Sequence, residues 1–591
     1  MRFSGKGYPT MSCGDGNSYA IIDTKTATAI QGMLQIPTSP NPSASRHRRP
    51  PLLSFWTLTT VAIALLVLLP ILVVLSSLFA DSGEIWRHLG RTVLPVYIRN
   101  SLLLMVSVGL GVSLLGVSTA WLVTTCQFRG RRLFEWGLLL PLAAPAYVLA
   151  YVYTDVLDYF GPVQTSLRRL FGWQSSADYW FPQVRSLGGA AIMLSLVLYP
   201  YVYLLVRVAF LEQSVCTMEA SRALGCNPWQ SFWRVALPLA RPAIAAGTSL
   251  ALMETLSDFG TVEYFGVETF TTGIYRTWFG LDERTAASQL ASVLLLFILV
   301  LVVLEKWSRR QSRYYHVAAS PQTGGYHLVG LRALGAWVTC ALPLVLGFGI
   351  PAAVLFNMAI ANATDNFTDN FWTYTRNSVV VAGITAAIAV LLALILAYGR
   401  RLQPSLAMTT AVRLAAFGYA FPGTVIAVGI LIPTGTIDNA VDAWMERTFG
   451  ISTGLLLSGT IVALVLAYLV RFLAVAFNTV SAGLLRVKPS LDEAARSLGY
   501  TPTGALARVH VPLMRASLLT AAILVFVDVM KELPATLIVR PFNFDTLAVQ
   551  VYRLAADERL SEAAAPALAI IVAGLLPVAL LSWRIRRKGV A

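Results

Sequence analysis

The sequence has 591 residues, of which 56% are hydrophobic and only 13% charged, and its formal net charge is +15. An average soluble domain carries about 25% charged residues, so this composition excludes an ordinary soluble protein and indicates a membrane protein. The five cysteines form no C-x-x-C pair, which argues against a disulfide framework or a zinc site. Basic residues cluster between apolar segments, so we attribute the positive charge to membrane topology and not to nucleic-acid binding.

Residues 1–50 differ from the rest of the chain. They are polar, rich in Ser, Thr, Pro and Gly, and end in a basic run at 46–49. Because they lack the apolar core of a signal peptide, we predict a disordered cytoplasmic tail. Twelve later segments are long and apolar enough to cross a membrane as helices. They lie at approximately 55–80, 100–126, 133–157, 187–211, 242–266, 288–305, 333–356, 377–399, 407–433, 455–476, 516–540 and 563–583.

Basic clusters predict the orientation of these spans. They precede the first span at 46–49, follow the second at 129–132, the sixth at 306–313 and the eighth at 400–401, and close the chain at 584–588. All of them fall on one side if both termini are cytoplasmic, and Lys and Arg accumulate on that side of a membrane. The sequence therefore predicts an all-α polytopic membrane protein with about twelve transmembrane helices.

The sequence also contains an internal repeat. At a shift of 274 residues, 219–241 and 493–515 share 11 identities in 23 positions, and Arg99-Asn100-Ser101 recurs at 376–378. Each half holds six predicted spans in the same order and orientation, which predicts two parallel six-helix repeats. We assign the first transmembrane unit to 51–316, a cytoplasmic linker to 317–332 and the second transmembrane unit to 333–591.

Each half has one loop between its fourth and fifth spans, and the two loops are equivalent in the repeat. Both lie on the predicted cytoplasmic side. Each is predicted to form a short helix that ends at Gly225 or Gly499, because glycine tolerates the left-handed conformation found at helix ends. Pro228 and Pro502 are expected to prevent the helix from continuing. The result is a pair of helix–turn–helix elements that project from the membrane.

The pattern E-A-x-x-x-x-G, with a proline 13 residues after the glycine, resembles the signature loop of binding-protein-dependent ABC import permeases. In that family the loop is a coupling helix that seats in a groove of the ATP-hydrolysing subunit. The resemblance implies two ATPase-coupling loops in this chain. Their residues are Glu219, Ala220, Arg222, Gly225, Pro238, Glu493, Ala494, Arg496, Gly499 and Pro512.

Four carboxylates lie inside predicted spans, Glu254 and Asp258 in the fifth and Asp528 and Glu532 in the eleventh. Each pair is spaced i, i+4, so we expect both carboxylates on one helix face. Ionisable residues within a membrane are costly and are usually functional. Carboxylate oxygens suit hard cations, and the two pairs therefore predict an acidic lining for a cationic solute. The alternative is an outer vestibule, or pairing with lysine and arginine between helices.

The stretches around these carboxylates, 253–267 with 271–276 and 531–536 with 540–548, resemble the two motifs of ferric iron permeases. The resemblance covers approximately residues 50–591. It implies a fused permease that carries ferric iron in the inner membrane of a bacterium. The candidate translocation pathway is Glu254, Asp258, Glu263, Asp528 and Glu532.

No G-x-x-x-x-G-K-[ST] motif occurs in the sequence, so we expect a transport subunit, not an enzyme, with no catalytic residue, cofactor or metal site of its own. The resemblance implies two copies of a cytoplasmic subunit that hydrolyses ATP with Mg, and one extracytoplasmic iron-binding protein. Fused thiamine, polyamine and sulfate permeases share this architecture. A secondary transporter driven by an ion gradient is the alternative from another class.

Overall fold

A computed structural model describes residues 54–80, 83–213, 221, 223–310, 326–362 and 367–588. The predicted tail at 1–50 and the linker residues 317–325 lie outside the described residues. The same is true of three residues of the first predicted coupling loop, Glu219, Ala220 and Arg222.

The described chain is almost entirely helical, because in lipid a helix satisfies its backbone hydrogen bonds within its own segment. The first half contains the helices Phe55–Ser76, Ser77–Phe79, Gly83–Thr92, Leu94–Thr125, Arg131–Gly137, Leu140–Ala143, Ala146–Leu157, Pro162–Phe171, Leu187–Glu212, Pro228–Ser231, Phe232–Ala236, Leu237–Ser257, Gly260–Tyr264, Phe270–Tyr275, Arg276–Gly280 and Arg284–Arg310. A short parallel pairing joins Cys126–Gln127 to Tyr326–His327.

The second half repeats this succession. It contains the helices Leu331–Leu344, Val345–Gly349, Ile350–Ala361, Asp369–Leu402, Leu406–Ala415, Gly418–Ala420, Gly423–Phe449, Ile461–Leu484, Ser490–Ser497, Pro502–Ala505, Leu506–His510, Val511–Met530, Pro534–Val539, Leu547–Ala556 and Leu560–Lys588.

In the part of the chain that the structure describes, eleven helices are long and apolar enough to cross a membrane. A bent pair, Arg131–Ala143 and Ala146–Phe171, whose parts meet at 90°, makes up to twelve. The prediction of an all-α polytopic protein with about twelve spans is therefore confirmed.

The prediction of a continuous third span in each half is wrong. Pro145 and Pro422 interrupt these segments, and both adopt extended backbone with ψ of 143° and 144°. A proline has no N–H to donate to the preceding turn, so the helix stops before it and a new helix starts after it. The same break occurs at the same place in both halves.

The repeat is also visible in two widened helical turns. Five-residue π-helical turns occupy Phe232–Ala236 and Leu506–His510, 274 residues apart. Each comes immediately before the helix that contains Pro238 or Pro512 near its first residue. Because the proline cannot donate a hydrogen bond to the preceding turn, the helix accommodates it by a local widening.

The repeated Arg-Asn-Ser motif has a structural role near the start of the second span. The side-chain amide of Asn100 donates to the backbone carbonyl of Glu268 at 3.0 Å. Its counterpart Asn377 donates to the carbonyl of Asp545 at 3.1 Å. Each amide therefore fixes the turn that follows the fifth span onto the second span of the same half.

The first span of each half packs against the opposite half. Phe55–Ser76 lies against Gly423–Phe449 of the second half, and Leu331–Leu344 lies against Leu94–Thr125 of the first. At Gly429 the approach is so close that an added Cβ would lie 2.3 Å from the carbonyl oxygen of Pro70. Helices in lipid associate through such small residues, because close packing and not the hydrophobic effect holds them together.

This contact generates a prediction about the interface between the halves. Gly429→Ala should lower the midpoint of thermal unfolding in detergent, since overpacking costs about 1–3 kcal/mol. Gly435→Ala is the matched control, because it lies on the same helix and a Cβ there meets nothing within 4 Å. An equal effect of the two substitutions, measured by following intrinsic fluorescence on heating, would contradict the assigned packing.

Candidate functional site

A cavity of about 120 Å³ lies between the two halves, and six charged residues are part of its wall. Two of these charged residues belong to the first half and four to the second. The charged residues are Glu254 and Asp258 from the first half and Arg471, Asp528, Lys531 and Glu532 from the second. The four carboxylates that the sequence singled out as spaced pairs are thus brought together around one space.

The i, i+4 spacing predicted that the two carboxylates of each pair lie on one helix face. The structure shows that they do not. The helix Leu237–Ser257 ends one residue before Asp258, which has an extended backbone with ψ of 136°. The helix Val511–Met530 likewise ends before Glu532. The expectation of one continuous helix is wrong because in each half the backbone leaves the helix at this point. A short second helix follows, Gly260–Tyr264 in the first half and Pro534–Val539 in the second.

Asp258 and Glu532 stabilise these second helices. The carboxylate of Asp258 accepts hydrogen bonds from the backbone N–H groups of the third and fourth residues after it, at 3.0 and 3.1 Å. Glu532 accepts from the equivalent two N–H groups at 2.9 and 3.0 Å. The first N–H groups of a helix have no partner within the helix, and a negative charge there also interacts favourably with the helix dipole.

Arg471 is the central cation of the cavity, although the sequence analysis did not single it out. Its guanidinium lies 3.0 Å from Glu532 and 3.7 Å from Glu254, and the residue is only 7% exposed. The signal in the sequence was a lone arginine within an apolar span, Ile461–Leu484. An added Cβ at Gly423 would lie 2.6 Å from both Arg471 Nη1 and Glu532 Oε1, so a residue without a side chain leaves room for the pair.

The second basic residue, Lys531, pairs along its own chain segment. Its ammonium lies 2.9 Å from the carboxylate of Asp528. Three of the four carboxylates thus have a basic neighbour, and two of them, Glu254 and Glu532, pair with Arg471 from another helix, as in the alternative of pairing between helices. Asp258 has no ion pair among the described residues.

Glu263, the fifth residue of the predicted pathway, is not part of the wall of this cavity. It lies 3.8 Å from Arg276, which makes a closer ion pair of 2.9 Å with Glu268. The second half repeats this pair as Arg553 and Asp545, at 2.7 Å. The structure therefore separates Glu263 from the four central carboxylates.

The two predicted coupling loops have the expected turn. Gly225 and Gly499 are left-handed, with φ of 79° and 80°, and Gly499 lies two residues after the helix Ser490–Ser497, which carries Glu493, Ala494 and Arg496. The leucines before these glycines, Leu224 and Leu498, are 83% and 75% exposed.

The prolines that follow have a second role. Pro228 and Pro502 were expected only to stop a helix, but each occupies the first position of the next one. There the missing N–H costs nothing, because the first turn of a helix has no acceptor for it.

A charged network ties the second loop to the transmembrane helices, and the sequence analysis missed it. Asp492 lies 2.6 Å from the imidazole of His510, which is completely buried, and 2.7 Å from the guanidinium of Arg401. Arg401 also donates to the backbone carbonyl of Leu484 at 2.9 Å. The first half has Ala236 where the second has His510, and this departure from the repeat was the available signal.

The chain is similar in sequence to known membrane transport proteins. Residues 113–314 match the family model of the binding-protein-dependent transport system inner membrane component. The Fe(3+)-transport system permease protein FbpB 2 of Haemophilus influenzae is 26% identical over 542 residues, which cover 90% of this chain and 98% of that protein. The ferric transport system permease protein FbpB of Actinobacillus pleuropneumoniae is 26% identical over 83% of this chain and 71% of its own length.

A shorter relative matches part of the chain. The molybdenum transport system permease protein ModB of Escherichia coli is 26% identical over 34% of this chain and 86% of its own length. The longer matches extend across both halves, whereas this one has the length of a single half. The predicted resemblance is therefore confirmed: the chain matches the fused ferric permeases of binding-protein-dependent ABC importers.

Proposed function

We propose that this chain is the transmembrane permease subunit of an ATP-driven importer and forms the translocation pathway for ferric iron. The observation that carries the proposal is the similarity to ferric transport permeases over 90% of the chain. In this role the chain is a transport subunit and not an enzyme. Its location is the inner membrane of a bacterium, with both termini in the cytoplasm.

The two loops support coupling to a separate ATPase. Leu224 and Leu498 are equivalent in the repeat and expose apolar side chains next to a sharp glycine turn. Exposed apolar side chains can mark a surface that contacts a partner protein. Two such loops favour two copies of an ATP-hydrolysing subunit, and the family similarity favours an extracytoplasmic binding protein that delivers the iron.

The cavity supports a cationic cargo. Its charged wall has four carboxylates and two basic groups, so the acidic groups are in excess. Carboxylate oxygens are hard donors, and hard cations such as ferric iron prefer them. The candidate pathway therefore runs between Glu254 and Asp258 on one side and Asp528 and Glu532 on the other.

The direct test is uptake of radiolabelled ferric iron by a strain that lacks its own ferric importer and expresses this chain with its ATPase and binding protein. We expect uptake that requires ATP hydrolysis and persists after an uncoupler has collapsed the ion gradient. Uptake abolished by the uncoupler while ATP is maintained would instead indicate a secondary transporter. Uptake of thiamine, a polyamine or sulfate in place of iron would correct the substrate.

The pathway role of Asp258 is separable from its role as a helix cap. Asp258→Asn removes the charge but keeps an oxygen that can accept the two backbone hydrogen bonds, and we expect about tenfold lower iron uptake, which corresponds to roughly 1.4 kcal/mol. Thr261→Val is the control, because it removes a hydroxyl bonded to the same carboxylate at 3.0 Å and leaves the charge. Equal rates of iron uptake by the wild type and the Asp258→Asn variant would contradict the pathway role.

The glycine turns predict the effect of distorting both loops. The double substitution Gly225→Ala with Gly499→Ala should release the ATPase or uncouple it, since a non-glycine residue in left-handed backbone costs about 1–2 kcal/mol. Gly172→Ala with Gly450→Ala is the matched control, because these glycines also end helices with φ of 72° and 69° and have open space around them. Full transport and ATPase co-purification in the first double variant would refute the coupling role.

The network around Asp492 predicts that substitutions of Asp492 and of its neighbour Glu493 have different effects on hydrogen exchange and on ATPase binding. Asp492→Ala should speed amide hydrogen exchange in 490–497 by at least about tenfold, because it leaves His510 and Arg401 without their shared carboxylate. Glu493→Ala should leave the exchange unchanged but weaken ATPase binding, since Glu493 is exposed and has no ion pair among the described residues. Mass spectrometry of the exchanged peptides distinguishes the two effects.

A further inference from the structure

The guanidinium of Arg471 lies between carboxylates from the two halves of the molecule. Its Nη1 contacts Glu532, which belongs to the same half, and its Nη2 faces Glu254, which belongs to the other. The acidic groups therefore approach the guanidinium from two sides. At the equivalent position of the first half the chain has Val197, so nothing in the repeat itself requires an arginine here.

The hydrogen bonding of this buried arginine is incomplete. Arg471 is 7% exposed, yet its Nε has no hydrogen-bond partner among the described residues. Tyr147, 5% exposed and also part of the cavity wall, has a buried hydroxyl for which the described part of the chain likewise supplies no partner. Unsatisfied polar atoms in a buried site are costly and call for an explanation, one of which is a site built for a second occupant.

The carboxylates cannot bind a metal ion together in the arrangement described. No three His, Cys, Asp or Glu side chains of the described residues are close enough to hold one. The guanidinium lies between two of the carboxylates and satisfies them electrostatically. A cationic cargo would gain access to Glu254 and Glu532 only by separating them from Arg471.

We propose that Arg471 is a tethered competitor of the cargo, whose guanidinium occupies the cation site between Glu254 and Glu532 and is displaced when a hard cation binds. The inference rests on the proposed function for the identity of the cargo. With the cation bound, Arg471 has no carboxylate partner in its present position and is repelled by the like charge. Return of the guanidinium to the carboxylates then weakens cation binding and favours release, so the residue sets the affinity of the cavity.

The test uses the purified full-length chain and Tb³⁺, a hard trivalent cation whose luminescence is sensitised by nearby tyrosine. We expect Arg471→Gln to bind Tb³⁺ about tenfold more tightly than wild type, because the competing charge is gone; such a factor corresponds to about 1.4 kcal/mol. Lys531→Gln is the matched control. It removes the same charge from the same cavity, but its partner Asp528 lies on its own chain segment.

Direct competition by Arg471 and a general effect of net charge predict different Tb³⁺ affinities for these variants. An affinity of Arg471→Gln equal to that of wild type, or an equal gain from Lys531→Gln, would overturn the proposal. Adding Glu254→Gln to Arg471→Gln should weaken Tb³⁺ binding relative to Arg471→Gln alone, since it removes one of the two carboxylates that form the site.

A second comparison covers the case in which Arg471→Gln does not fold. The double variant Arg471→Gln with Glu532→Gln removes both members of the closest pair and restores the charge balance. It should bind Tb³⁺ more tightly than Glu532→Gln alone, because Glu254 is then free of the guanidinium, and equal binding would overturn the proposal. The Tb³⁺ assay does not depend on ferric uptake, so a wild-type chain that fails to import iron would contradict the proposed function and leave this result standing.

Discussion

The carboxylate that follows each broken helix is the interaction on which the centre of the molecule depends. Within a membrane, a backbone N–H without a partner is too costly to persist, so a helix can be interrupted only where another group supplies the hydrogen bonds. Asp258 and Glu532 do so at equivalent positions, each binding two N–H groups of the next short helix. The same two interruptions bring charged side chains to the cavity between the halves.

One helical segment in each half connects a loop to this cavity. Pro228–Ser257 runs from the turn at Gly225 to Glu254, and Pro502–Met530 runs from the turn at Gly499 to Asp528. A helix of this length spans about 45 Å. Each loop and a carboxylate of the cavity therefore belong to the same helical segment.

The two halves share an architecture but differ in charge. Arg471 and Lys531 have the uncharged counterparts Val197 and Ser257, and His510 has the counterpart Ala236. The backbone features that set helix breaks and turns are retained in both halves, while among the described residues the basic groups that pair with the carboxylates of the cavity come from the second half. The duplicated fold therefore provides a symmetric frame, and the divergence of single side chains makes the cavity and the two loops unequal.

The sequence by itself determined the membrane class, the number of spans, the repeat, the glycine turns at Gly225 and Gly499 and the four central carboxylates, because hydropathy, self-similarity and residue type are local properties of the chain. Only the tertiary structure decided that the helices break at Ser257 and Met530, that Arg471 lies between Glu532 and Glu254, and that His510 meets Asp492. Those contacts join segments far apart in sequence, and periodicity carries no information about which charge will face which across a helix interface.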